Sequence, residues 1–210
     1  MRVWTRMGGR LALVSAAALC IAAMVAAPAN AGLLVTSGNN CADQPMSQPF
    51  APWGDHADYT PLPGSFEVGE ASWSLSGAGV TSGNEPYYVN QADDTRSLRL
   101  DSGEAATSKT ICVGLEHPTL RLFTRSSGTG LLSAMTVEVI TQTSLGLKLA
   151  LPIGVVLPSG AWRPTPRFIV LANLLPLLPG ERTPVAFRFR AAGGGSWWID
   201  DVYVDPMRRQ

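Results

Sequence analysis

Histidine and cysteine are scarce: the 210 residues hold two histidines, His56 and His117, and three cysteines. Neither histidine is spaced from the other or from a cysteine as a metal ligand, and no Cys-x-x-Cys pair occurs, which excludes the usual zinc frameworks. His117 precedes Pro118 and His56 follows Asp55, both turn-like settings, and no Gly-x-Ser-x-Gly elbow is present. The nucleophile, base and orienting group of a serine or cysteine hydrolase are therefore not recognisable. Phosphate-binding loops and dinucleotide glycine patterns are also missing. Glu70, Glu85, Asp93, Asp94, Glu104, Glu116 and Glu138 supply acids without the facing pair that glycoside hydrolysis needs, and read mostly as solvated loop charges. Excess charge is lacking too, since 16 basic residues balance 16 acidic ones. No overall field draws the chain to nucleic acid or to an anionic membrane.

What is present begins with an address. Arg2, Arg6 and Arg10 precede an apolar run over 11–27, which ends in Pro28-Ala-Asn-Ala31. A positive segment, an apolar segment and small residues at 29 and 31 predict a signal peptide over 1–31 and a secreted protein, free or wall-associated, with no stable membrane insertion after cleavage. In an oxidising compartment Cys41 and Cys112 most simply pair as a disulfide. Residues 32–63 are rich in Ser, Asn, Gln, Pro and Asp, with Phe50, Trp53 and Tyr59 isolated among them. That composition predicts an irregular N-terminal arm that packs on the domain.

From 64 to 206 no helical period is sustained, and short runs alternate with glycine-rich turns. Strands are expected at 71–76, 87–90, 97–101, 107–113, 119–126, 134–141, 147–155, 168–171, 185–191 and 198–204, followed by a tail at 207–210. Leu120 and Leu122 alternate with Arg121, Leu98 and Leu100 flank Arg99, and Phe187 and Phe189 oppose Arg188 and Arg190. Many short strands at this spacing predict an all-β antiparallel sandwich, or jelly roll. The segment 168–180 is too apolar for a loop and too proline-rich for a long helix, and is read as a strand and a short capping turn. Leu171, Leu175 and Leu178 could alternatively form a patch for a protein partner.

Two surfaces could bind a ligand. Arg99, Arg121, Arg125, Arg188 and Arg190 fall on polar strand faces, where they form either a ridge for acidic groups or cross-strand ion pairs. The loop Gly83-Asn84-Glu85-Pro86-Tyr87-Tyr88 places flat rings beside an amide and a carboxylate, a mixture suited to sugars. Ligand-binding candidates are thus Tyr87, Tyr88, Asn84, Arg121 and Arg188. A third feature is Ile199-Asp200-Asp201-Val202 in the last strand, where strict alternation puts Asp200 with Val202 and Val204, and Asp201 with Ile199 and Tyr203. A carboxylate carried into a buried strand needs a cation or hydrogen-bond donors.

The order Gly64-Ser-Phe-Glu67, Trp73, Ser97-Leu-Arg-Leu100, Ile111 and Val113, Leu120 to Arg125, Val137-Glu-Val139, Trp162, Val185 to Phe189 and Ile199-Asp-Asp-Val202 resembles the galactose-binding-like jelly roll of secreted carbohydrate-binding modules. It is also similar to a group of small exported actinobacterial proteins. The resemblance implies a structural calcium held by Glu67 and Asp200, with Asp201 as alternate and Asp94 or the Arg96 carbonyl assisting. Calcium takes oxygen ligands of these kinds. It further implies a non-catalytic module for polysaccharide or cell-envelope polymer. A structural or protein-interaction component of the envelope, and a secreted hydrolase, stand as alternatives.

Overall fold

The structure is a computed structural model that describes residues 45–114, 118–128, 132–142, 147–170 and 182–206. Its strands are β1 (Thr60–Pro61), β2 (Trp73–Ser76), β3 (Gly79–Ser82), β4 (Arg96–Leu100), β5 (Ala105–Ser108), β6 (Ile111–Gly114), β7 (Thr119–Ser126), β8 (Ala134–Gln142), β9 (Lys148–Val156), β10 (Arg163–Pro164), β11 (Phe168–Ile169), β12 (Arg182–Ala192) and β13 (Trp197–Asp205). The first sheet runs β10-β7-β13-β4-β3, with β1 also beside β13 and β11 beside β7. The second runs β2-β5-β12-β8-β9, with β6 also beside β12. Paired strands are antiparallel throughout, and the chain crosses repeatedly between the sheets, which gives the jelly-roll sandwich expected from the sequence.

Alternation decides what fills the space between the sheets. Leu98, Leu100, Leu120, Leu122, Trp197 and Ile199 point inward from the first sheet against Ala106, Val137, Val139, Phe187 and Phe189 of the second. Burying each of the larger side chains contributes about 1.5–3 kcal/mol. A second apolar cluster lies on the opposite, outer face of the first sheet, where Phe50 and Tyr59 of the arm cover Phe123 and Tyr203. Phe50 stacks on Phe123 at 5.4 Å and meets Tyr59 and Tyr203 edge-on. The arm is therefore a third layer, tied down by the pairing of β1 with β13 and by the Ser47–Tyr59 bridge.

Several local expectations change. Residues 87–90 form no strand, because the Glu85 carboxylate takes the Tyr87 and Val89 N–H groups that a ladder would use, and Tyr88 turns left-handed at φ 51°. The single strand expected over 107–113 is two, β5 and β6, both beside β12. Strand β3, read as a glycine-rich turn, pairs with β4. The strict alternation expected through the aspartate pair is broken by a bulge between Asp200 and Tyr203, with Asp201 at φ 45°. Ile199 thereby shares the core face with Val202 and Val204, while Asp200 lies on the outer face with Tyr203. The expected signal segment 1–31, Cys41, the 171–178 segment with Leu171, Leu175 and Leu178, and 207–210 lie outside the described residues. Among the described residues no helix is long and apolar enough to cross a membrane.

Candidate functional site

The bulge in β13 turns two neighbouring carboxylates toward one cavity. An ordinary strand would send Asp200 and Asp201 to opposite faces, yet both line a pocket of about 270 Å³ together with Glu67, Asn90, Gln91, Asp94 and Arg96. The pocket wall near Gly64 is tight: a Cβ there would come within 1.9 Å of Ser72, and φ is +95°. The Gly64 carbonyl accepts from the Trp73 indole at 3.2 Å, which fixes the pocket floor against the core.

The four acids that the sequence singled out thus share one pocket, but in different roles. Glu67 is spent on the chain before β4: its Oε1 accepts from the Thr95 and Arg96 N–H groups, and its Oε2 from the Thr95 hydroxyl. Asp200 accepts from the Glu85 N–H at 3.0 Å and the Asp201 N–H at 2.9 Å. Asp201 accepts from the Asn90 N–H, and Asp94 from the Asn90 side-chain amide, each at 3.2 Å. Glu85, read from the sequence as a solvated charge, is fully buried beside them; its proline-flanked loop position carries no signal of that burial.

No guanidinium or ammonium among the described residues pairs with Glu85, Asp94, Asp200 or Asp201. Burial, reinforced by the charges of Glu85 and Asp94, pushes the Asp200 carboxyl up to about 8 against the pull of its two amide hydrogen bonds. Asp201 is driven up with it by burial and by the Asp200, Glu85 and Asp94 charges, and burial raises Asp94 as well. The carboxylates, none of them in an ion pair although the exposed Arg96 also lines the pocket, match calcium in donor chemistry. In the arrangement present, however, no three acidic, histidine or cysteine side chains among the described residues converge as metal ligands. Asp201 and Asp94 each accept from Asn90 through one oxygen, whereas both oxygens of Asp200, Glu85 and Glu67 already accept hydrogen bonds.

The second candidate surface lies on the outer face of the first sheet, beyond the edge of the arm. Trp198 on β13 stands opposite Arg99 on β4 and Arg125 on β7. Trp162, just before β10, completes a row across four strands in which cation and ring alternate. The guanidinium carbon of Arg125 lies 4.2 Å from the Trp198 ring centre and 5.5 Å from that of Trp162, and that of Arg99 lies 5.7 Å from Trp198. Tyr87 adjoins this row: its hydroxyl donates to the Trp162 carbonyl at 3.2 Å, and Trp53 meets its ring edge-on at 4.9 Å. Because no strand forms there, Tyr87 and Tyr88 are both open, at 46% and 52% exposure, whereas alternation would have freed only one.

The remaining sequence candidates are distributed elsewhere. Arg121 is buried beneath the arm, stacked 4.3 Å from Phe50 and paired with Asp55 at 2.7 Å, so it holds the arm and faces no ligand. Arg188 is on the outer face of the other sheet, hydrogen-bonded to Glu138 in a cross-strand row with Thr107. The five-arginine ridge is therefore split between two faces. Asn84 donates to the Glu85 carbonyl, and its Oδ1 is buried without a partner. Cys112 lies in β6. Trp73 is core, whereas Trp162 packs against the outer cluster.

No family model and no curated protein matches the chain. Among solved structures, the chain is similar to a Clostridium thermocellum xylanase comprising CBM22-1 and GH10 modules, complexed with xylohexaose, at 16% identity and a TM-score of 0.47, covering 70% of this chain and 28% of that one. It is similar to the CBM22-1 xylan-binding domain of a Paenibacillus barcinonensis xylanase, at 8% identity and a TM-score of 0.46, covering 80% of this chain and all of that one. It is also similar to a CBM61 module in complex with β-1,4-galactotriose, at 15% identity and a TM-score of 0.41, covering 67% of this chain and 92% of that one. These neighbours are carbohydrate-binding modules or contain one, and the likeness to them is one of fold.

Proposed function

We propose that the protein is a secreted, non-catalytic binding module for a carbohydrate or cell-envelope polymer, which docks along the aromatic row of the first sheet. The observation that carries this reading is the placement of Trp198, Trp162 and Tyr87 in one continuous strip, beside Tyr88, at the uncovered end of an otherwise arm-covered face. Flat rings that remain partly open, flanked by guanidiniums, supply the stacking and hydrogen-bonding mixture that sugar binding uses. The outer face of the second sheet offers no such platform, since the outward positions of β2, β5, β8 and β12 carry no aromatic residue. The test is retention of the purified protein by a panel of insoluble polysaccharides and isolated cell walls. Retention by one polymer, lost in Trp198→Ala and Tyr87→Ala, is the expected result; retention by none removes the proposal.

Calcium at Asp200, Asp201 and Asp94 is part of the same reading, as a stabiliser of the β13 bulge and the 83–95 loop. The support is the set of buried carboxylates without a counter-charge. A second reading, an envelope component that docks a protein, is favoured by one observation. Leu149, Leu151, Val155 and Leu157 in and after β9, at the edge of the second sheet, are exposed.

A further inference from the structure

The middle of the aromatic row is held by a cation that lacks its counter-charge. Arg125 lies over two indoles, half-buried, and its Nε is shut away from solvent with no acceptor. No carboxylate among the described residues pairs with it. Four other arginines are compensated: Arg99 by Asp101, Arg121 and Arg167 by Asp55, and Arg188 by Glu138. Partial desolvation of a guanidinium is unfavourable unless an anion answers it, and stacking on indole faces returns only part of that cost.

We infer that the row recognises an acidic saccharide, a hexuronate whose carboxylate pairs with Arg125. This rests on the polysaccharide reading above and adds the charge of the ligand. The guanidinium lies 4.2 Å from the Trp198 ring centre and 5.5 Å from that of Trp162, whose carbonyl accepts from the Tyr87 hydroxyl, so cation and open tyrosine ring belong to one row. A hexuronate carries its carboxylate at the rim of the pyranose ring, so a stacked unit meets the guanidinium edge to edge, the geometry in which the two planar groups form paired hydrogen bonds. A neutral pyranose offers hydroxyls to that edge and leaves the charge unanswered. Arg99, on the far side of Trp198, is already neutralised by Asp101, so the row presents one available positive charge rather than a diffuse basic patch.

The experiment is affinity electrophoresis of the protein through gels holding polygalacturonate or polyglucuronate, and through gels holding the same polymers after chemical reduction of their carboxyl groups. The expected result is affinity for an acidic polymer that falls about tenfold or more on reduction. Arg125→Gln should produce the same fall on the acidic polymer and no change on the reduced one. Arg125→Lys, which keeps the charge but loses the planar fork, should fall between them and guards against a folding defect in the glutamine variant. Equal affinity for acidic and reduced polymers would overturn the inference while leaving the carbohydrate reading intact. Binding to neither these nor any neutral polymer would overturn both. Equal retention by inorganic polyphosphate would overturn the assignment of a carboxylate.

Discussion

Asp55 is one carboxylate surrounded by donors: the Arg121 and Arg167 guanidiniums, the Tyr59 hydroxyl at 2.9 Å and the Ala57 N–H at 3.2 Å. Burial alone would raise its pKa, but the hydrogen bonds from Arg167, Arg121, Tyr59 and Ala57 outweigh that and hold it well below the usual carboxylate range. With a depressed folded value, the unfolded chain binds this proton first as pH falls. The stability Asp55 contributes is therefore complete above about pH 4 and is lost progressively below it. Asp55→Asn leaves two guanidiniums facing a neutral amide and should cost about 3–5 kcal/mol. Thermal melts between pH 2 and 6 should show a lower and flatter curve for the variant; an unchanged acid slope would mean that Asp55 does not anchor the arm. None of this was legible in the sequence. Asp55 sits in a polar, proline-rich stretch, and its partners lie 66 and 112 residues away. The arm itself was legible, because its isolated aromatics had to bury somewhere.

At the scale of the element, β13 shows where alternation succeeds and where it stops. It correctly sends Trp197 inward and Trp198 outward. One extra residue at Asp201 then resets the phase and turns Asp201 into the same pocket as Asp200. A bulge has no composition signal of its own, so the shared pocket was foreseeable from the sequence only through the family resemblance. The pocket yields a prediction with opposing signs. Asp201→Asn removes one of several buried like charges and should raise the melting temperature of chelator-treated protein at pH 8, where Asp200 begins to ionise. The same change should abolish the rise that calcium gives the wild type. That calcium rise should be larger at pH 8 than at pH 5, because acids held protonated up to about 8 must lose their protons to bind the ion. Identical melts with and without chelator at pH 8 would remove calcium from the account.

For the whole molecule, the two sheets differ in what their outer faces carry, since both build the same core. The first sheet carries the arm, the acidic pocket and the aromatic row on its outer face. The second presents Ser74, Thr107, Arg188 and Glu138 in one cross-strand row without a ring. Fold class was legible because strand periodicity is local, whereas which arginines share a face depends on strand order. That is why Arg125 and Arg188 could be grouped in the sequence and lie on different sheets, while Arg121 shares the face of Arg125 but is covered by the arm. Pairing of Cys112 with Cys41 would close a long loop and tie the start of the arm to the second sheet, contributing about 4 kcal/mol in a chain-entropy account. Reductant should then lower the melting temperature of the wild type and leave Cys41→Ser unchanged; equal effects on both would exclude the pairing.

If a polymer docks on the outer face of the first sheet, substitutions on the two outer faces must differ in effect. The measurement is the dissociation constant for the retained polysaccharide in Trp198→Ala and in Arg188→Ala, with melting curves for each. Loss of binding by about tenfold or more in Trp198→Ala, at unchanged fold, with Arg188→Ala binding as the wild type does, is the expected result. Binding lost in Arg188→Ala and kept in Trp198→Ala would contradict it and move the site to the opposite sheet.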